Sequence, residues 1–167
     1  MNRIFKMCIM IATIIITDQI TKALVQQKFA LGESVPVISS LFHLTYVRNS
    51  GAAFGMLAYA PDYIRKPLFL VLPVLACFWL IYLIWSSRNT KLIHCLAYSL
   101  IFAGAVGNLI DRFTMNYVVD FLDFFWDTHH FAAFNIADSA ISIAAMLLVV
   151  DMVFLNKKKE KSATDII

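Results

Sequence analysis

Charge is scarce in this chain of 167 residues. Asp, Glu, Lys and Arg make up 15% of it, and they cluster so that long stretches carry none. With 60% apolar residues and a mean hydropathy of +0.74, the composition excludes an ordinary water-soluble domain. Cysteine is scarce too. Cys8, Cys77 and Cys95 are odd in number, each lies in an apolar run, and no CxxC or Cys/His ligand spacing occurs. A disulfide framework and structural zinc are thereby excluded, which leaves small packing residues. Neither a Gly-x-Ser-x-Gly elbow nor an HExxH zinc motif occurs, so both hydrolase signatures are missing. The net charge of +3 forms no basic patch interleaved with aromatics, which argues against a nucleic-acid partner.

What is present is apolar length. The length prior gives one domain, and four runs, 7–25, 67–85, 92–110 and 134–153, are long enough to cross a bilayer. The expected fold class is an all-α integral membrane protein of four transmembrane helices. The first run starts like a signal peptide, after Arg3 and Lys6. No small-residue cleavage site precedes Asp18 and three spans follow, so it is expected to be retained. Pro73 in the second span is tolerated in a membrane helix. The small residues at 103–108 permit close helix approach.

Between the spans, region 29–66 is polar enough to leave the bilayer. Gly32-Glu33-Ser34 signals a turn, and alternation over 42–48 puts Phe42, Leu44 and Tyr46 on one face of a half-buried strand, with 35–38 as its partner. A small-residue loop from Arg48 to Gly55 follows. Region 112–131 carries Phe121, Phe124, Phe125, Trp126 and Phe131, and is expected to lie along the interface as a segment able to clamp and release. Arg3, Lys6, Arg88, Lys91 and four lysines of the 156–167 tail put eight of the fourteen Lys/Arg on one side. That bias predicts cytoplasmic termini and both long loops outside.

The polar residues that remain in apolar sequence converge on the outer end. Asp138 is the only formal charge in 131–150, and Asp120 follows Tyr117-Val118-Val119. An acid at membrane depth is a functional candidate that needs a partner, and each of these two is read as the other's partner. Two close carboxylates in an apolar setting share a proton, which gives an acid and a base for peptide hydrolysis. A fourth span starting near Ala132 would sink Asp138 about 9 Å. Asn108 and Arg112 share one helix face, Asn135 and Asp138 another, and Asn and Arg can hold a substrate backbone. Asp111 rivals Asp120, but its neighbours make it an ion-pair member. Asp18 and Lys22, four apart, read from spacing as an interfacial anchor pair. Asp123 and Asp127 read as solvated, His129 and His130 as interfacial, His94 as far from the acids, and Ser99, Ser139 and Ser142 as packing residues. A proton- or ion-coupled transporter using the same acids and a non-enzymatic membrane subunit stand as alternatives. Internal repeats, the transporter signature, are not found.

At these residues the chain resembles lipoprotein signal peptidase, the bacterial signal peptidase II family. The blocks are Asp18-Gln19-Ile20-Thr21-Lys22, Asn49-Ser50-Gly51-Ala52-Ala53-Phe54, Gly107-Asn108-Leu109-Ile110-Asp111-Arg112, Val118-Val119-Asp120-Phe121 and Phe134-Asn135-Ile136-Ala137-Asp138-Ser139. Ala103 departs from a glycine frequent in the family. The resemblance implies an aspartic peptidase of the bacterial inner membrane with its site on the periplasmic side, a small periplasmic sheet, and no metal or other cofactor. Its substrates would be diacylglyceryl-modified prolipoproteins, cut N-terminal to the lipidated Cys, and globomycin its inhibitor. It implies Asp120 and Asp138 as the catalytic dyad. Asn49, Gly51, Asn108, Arg112 and Asn135 would position substrate and dyad, with Asp18, Lys22 and Asp111 in support. Membrane lipid surrounds such a protein, which is expected to act as a monomer.

Overall fold

The structure is a computed structural model that describes residues 2–52, 55–89, 91–127 and 129–155. Ala53 and Phe54 of the small-residue loop and the lysine-rich tail lie outside the described residues. Among the described residues, four helical spans are long and apolar enough to cross a membrane: Arg3–Lys28, Asp62–Ser87, Leu92–Met115 and Ile136–Phe154. All four expected spans are there; the first three extend beyond their apolar runs, while the fourth starts two residues later than expected and ends one later. Helix α1 (Arg3–Lys28) starts at Asn2, whose side chain caps Ile4 N–H. The second span starts as α2 (Asp62–Lys66) inside the region expected to be extramembrane. It passes through a π-helical turn at Pro67–Val71, where proline removes a donor, and runs on as α3 (Leu72–Ser87).

Helix α4 (Leu92–Met115) continues past its apolar run to include Asp111 and Arg112, and ends on Asn116 in the left-handed conformation. It is the central helix, packed on α1, α3 and α5 (Ile136–Val150). Gly104 and Gly107 make that possible. A Cβ on Gly104 would strike the Ala137 carbonyl oxygen of α5, and one on Gly107 would stand 2.7 Å from Asp18 Oδ2 of α1. Large apolar side chains elsewhere on the spans, among them Phe78, Trp79, Tyr82 and Met146, remain exposed, as a lipid-facing surface requires.

At one end of the bundle sits a four-stranded antiparallel sheet in the order β1 (Ser34–Ile38), β2 (Phe42–Asn49), β3 (Val118–Trp126), β4 (His129–His130). The expected pair β1–β2 is present, with Val35 opposite Leu44. The 116–131 region is not an interfacial loop. It forms β3 and β4, and Asp120, Leu122 and Phe124 stand opposite Val47, Leu44 and Phe42 of β2. Phe121 and Phe124 serve sheet packing: Phe124 stacks on Phe42 and Phe134, while Phe121 joins Val25, Tyr46 and Val119 in the core between sheet and α1; Trp126 and Phe131 are exposed. Over residues 118–124 the segment is paired to β2 by a backbone ladder.

Asp123, read as solvated, is buried, and accepts hydrogen bonds from Thr45 Oγ1 at 3.2 Å and from His130 Nδ1 at 2.9 Å. Asp127 is exposed, as expected. At the opposite end of the bundle Lys91 and His94 both reach Asp151 at 2.9 Å, so His94 is indeed remote from the other acids.

Candidate active site

Asp120 and Asp138 arrive from different elements. Asp120 is the third residue of β3 and is held by the β2 ladder. Asp138 is at the third position of α5, not sunk two turns into a helix as expected, because the helix begins at Ile136 rather than near Ala132. There it completes a capping box. Asn135 Oδ1 accepts from Asp138 N–H at 2.9 Å, and Asp138 Oδ2 accepts from Asn135 N–H at 3.3 Å. The helix start thus fixes the carboxylate.

Amides surround the two acids. Asn135 Nδ2 donates to Asp120 Oδ1 at 2.8 Å, and Asn49 Nδ2 donates to Asp120 Oδ2 at 3.0 Å. Asn108 Nδ2 donates to Asp138 Oδ1 at 2.7 Å. Every carboxylate oxygen of the pair has a donor. Burial nevertheless pushes the Asp120 carboxyl up to about 7; the nearby Asp138 charge adds to the rise, and the two Asn donors oppose it. Gly51 belongs to the Asn49 turn: its N–H donates to Asn49 Oδ1 at 3.0 Å, and its carbonyl accepts from Arg112 Nη2 at 3.2 Å. A Cβ there would strike the Met56 carbonyl oxygen, so only glycine fits the turn.

Behind this shell lies a charged layer. Lys22 Nζ, 2% exposed, is 2.8 Å from Asp18 Oδ2, 2.9 Å from Asp111 Oδ2 and 3.0 Å from Asn108 Oδ1. Asp18 Oδ1 in turn accepts Ala137 N–H at 2.9 Å, and Asp111 Oδ2 accepts Val119 N–H at 3.2 Å. Asp18 and Lys22 are therefore not an interfacial anchor pair. They are the buried joint between α1, α4 and the start of α5. Asp111 is an ion-pair member, as its neighbours suggest, and not the partner of Asp138. Spacing does not single out Gln19, though it sits in the first family block. Its Nε2 bridges Asp18, the Gly107 carbonyl and Asp111 at 3.2, 3.1 and 3.0 Å.

Both acids open on one cavity of about 700 Å³, lined also by Asn49, Gly51, Asn108 and Arg112, with Phe124, Phe131, Phe134 and Ile141 forming an apolar wall. Ser139 and Ser142 line it as well, and Ser139 Oγ donates to the Asn135 carbonyl at 2.8 Å. Among the described residues, no group of three or more His, Cys, Asp or Glu side chains is placed to hold a metal ion. Two carboxylates beside a mainly apolar cavity at the end of a membrane bundle can divide one proton between them and can receive an apolar ligand.

Fold and site together define a multi-pass membrane protein with an acid pair at one end of its bundle. Comparison with known proteins sharpens this. The family model for Signal peptidase (SPase) II matches residues 10–154. A lipoprotein signal peptidase of Shewanella sediminis is 49% identical over 154 residues, covering 91% of this chain and 85% of the relative. One from Geobacter metallireducens is 43% identical over 159 residues, covering 95% and 96%. A solved bacterial membrane enzyme, determined by the in meso method at 2.3 Å, superposes with a TM-score of 0.80 at 31% identity, covering 91% of this chain and 90% of its own. The chain belongs to the signal peptidase II family, and it is a peptidase.

Proposed function

We propose that this protein removes the signal peptide from diacylglyceryl-modified prolipoproteins, cutting on the N-terminal side of the lipidated Cys with Asp120 and Asp138 as acid and base. The observation that carries the reading is the pair itself. Two acids from separate elements line one cavity, with an amide donor on every carboxylate oxygen. The family's relatives bear the name lipoprotein signal peptidase, which supports the substrate class.

In the mechanism, Asp120 holds the shared proton and Asp138 is ionised. Asp138 takes a proton from a water whose oxygen attacks the scissile carbonyl carbon, while Asp120 gives its proton to the carbonyl oxygen. The neutral tetrahedral intermediate then collapses. Its C–N bond breaks, Asp138 returns its proton to the leaving nitrogen, and Asp120 recovers one from the intermediate's hydroxyl. The pair ends as it began. Arg112 and the Gly51 turn flank this centre and hold the substrate backbone, while Asp18, Lys22 and Asp111 support the dyad from behind.

The charge bias of the sequence supports cytoplasmic termini, with sheet and dyad at the periplasmic face of the inner membrane. A substrate anchored by acyl chains then arrives laterally, its scissile bond near the membrane surface where the acids lie. A monomer carries every group invoked, and globomycin would compete for the same cavity.

Cleavage of a diacylglyceryl-modified lipobox peptide by detergent-purified protein tests the reading. Asp120→Asn and Asp138→Asn are each expected to lower the rate by about 10²–10⁴-fold or more, with Asp111→Asn retaining part of it. A folded wild type that leaves the lipidated peptide intact would end the peptidase assignment. Full activity in Asp120→Asn would end the pairing.

A further inference from the structure

A second cavity lies across Arg112 from the acid pair. It measures about 310 Å³, and its polar lining is Ser50, Asp62, Arg65, Lys66, Arg112 and Asn116. Three of these are cations and one is a carboxylate. That carboxylate does little to neutralise them. Asp62 is 66% exposed, it contacts Lys66 Nζ at 3.0 Å, and it stands 3.8 Å from Arg65 Nη1. The Nε–H groups of Arg65 and Arg112 are both buried and have no hydrogen-bond partner. A buried donor without an acceptor carries its full desolvation cost. What the cavity offers a ligand is three cations against one exposed carboxylate, a net positive lining that calls for several acceptor oxygens and a negative charge.

The position of the cavity selects among such ligands. Arg65 and Lys66 lie in the first turns of the second span, and Arg112 and Asn116 at the end of the third, so the cavity opens at headgroup depth. Below it the second span continues with Leu68, Val71, Leu72 and Leu75, all exposed and apolar. Phe69 closes the floor, its ring centroid 5.5 Å from the Arg112 guanidinium. A free anion would use only the upper part of this surface.

We propose that the cavity binds the phosphate of an anionic phospholipid whose acyl chains run down the Leu68–Leu72 face. Guanidinium and ammonium groups are the donors suited to phosphate oxygens, and basic pockets at helix ends are a known form of headgroup site. Through Arg112 the lipid would share a wall with the acid-pair cavity, yet the site stands on its own residues whatever reaction that pair performs.

Binding of phosphatidylglycerol to the full-length protein in detergent, counted by native mass spectrometry, is the test. Arg65→Gln/Lys66→Gln should weaken the tightest-bound molecule by about tenfold or more, since each of the two charge-assisted hydrogen bonds removed is worth about that factor. Lys28→Gln, which removes an exposed cation elsewhere, should leave it unchanged. Phosphatidylcholine, whose ammonium meets the three cations, should bind more weakly. Equal binding in the Gln pair and wild type, or equal binding of phosphatidylcholine, overturns the site. Displacement of the lipid by equimolar inorganic phosphate also overturns it, in favour of a soluble anion. Should the Gln pair fail to fold, Lys66→Gln alone is compared with Lys28→Gln, and equal lipid binding by those two overturns the site in the same way.

Discussion

Lys22 sets the orientation of Asn108. The ammonium takes Asn108 Oδ1 at 3.0 Å, which turns Nδ2 toward Asp138 at 2.7 Å. Reversing the amide would point an NH2 at an ammonium and a carbonyl at a carboxylate, so the reversed state is excluded electrostatically. A lysine on the first helix thereby acts on an aspartate on the last one.

Removing that ammonium strands two buried acids. Lys22→Met is expected to cost about 3–5 kcal/mol, the usual penalty for breaking a buried pair. Lys22→Met/Asp111→Asn should recover part of the loss, because one uncompensated charge is gone. Thermal melts of the wild type, both single variants and the double variant measure the coupling. Additive losses would contradict the network.

The acid pair links stability to pH. The Asp120 carboxyl titrates near 7 in the folded protein, against about 3.9 in an unfolded chain. Between those values the folded state holds a proton that the unfolded state has released. Its contribution to stability is therefore full below about pH 4 and is lost as pH rises through about 7. The wild-type Tm minus that of Asp120→Asn should fall across this window and level off above it. The kcat/KM of the wild type should decline on the alkaline side near the same pH, where the shared proton leaves.

Helix approach depends on two missing Cβ atoms. Gly104→Ala should cost about 1–3 kcal/mol, since the new methyl meets the Ala137 carbonyl, which is backbone and yields little. Gly107→Ala places its methyl on Asp18 Oδ2 and should disturb the Lys22 network as well. Melting temperatures check both, and an unchanged Tm in either would refute the packing described.

Asn49 offers a cleaner separation of function from fold. Asn49→Ala removes the 3.0 Å hydrogen bond to Asp120 Oδ2 in a half-buried turn. About 1 kcal/mol of stability should be lost, together with a larger, kcat-weighted fall in peptide cleavage. A change confined to KM would instead assign Asn49 to substrate binding.

The class of this protein and its four spans follow from the order of its amino acids alone. Segregated charge and long apolar runs admit few other solutions, because backbone polar groups in a bilayer must be satisfied within helices. Asp120 and Asp138 also stand out in the bare sequence, since an acid flanked by Phe, Val and Ile is conspicuous wherever the chain carries it. What Asp18 and Lys22 do became visible in the folded chain and nowhere earlier. Four-residue spacing fits an interfacial anchor and a buried joint equally well, and the choice rests on Asp111 and Asn108, more than eighty positions away. The 116–131 region turned on the same kind of fact. Its aromatics suit a membrane surface or a sheet, and pairing with β2, a long-range contact with no local signature, made it a strand. Helix ends, too, were settled by capping partners. Asn135 begins α5 because its side chain and that of Asp138 satisfy each other's backbone, which puts the carboxylate in the first turn of the span, at the cavity.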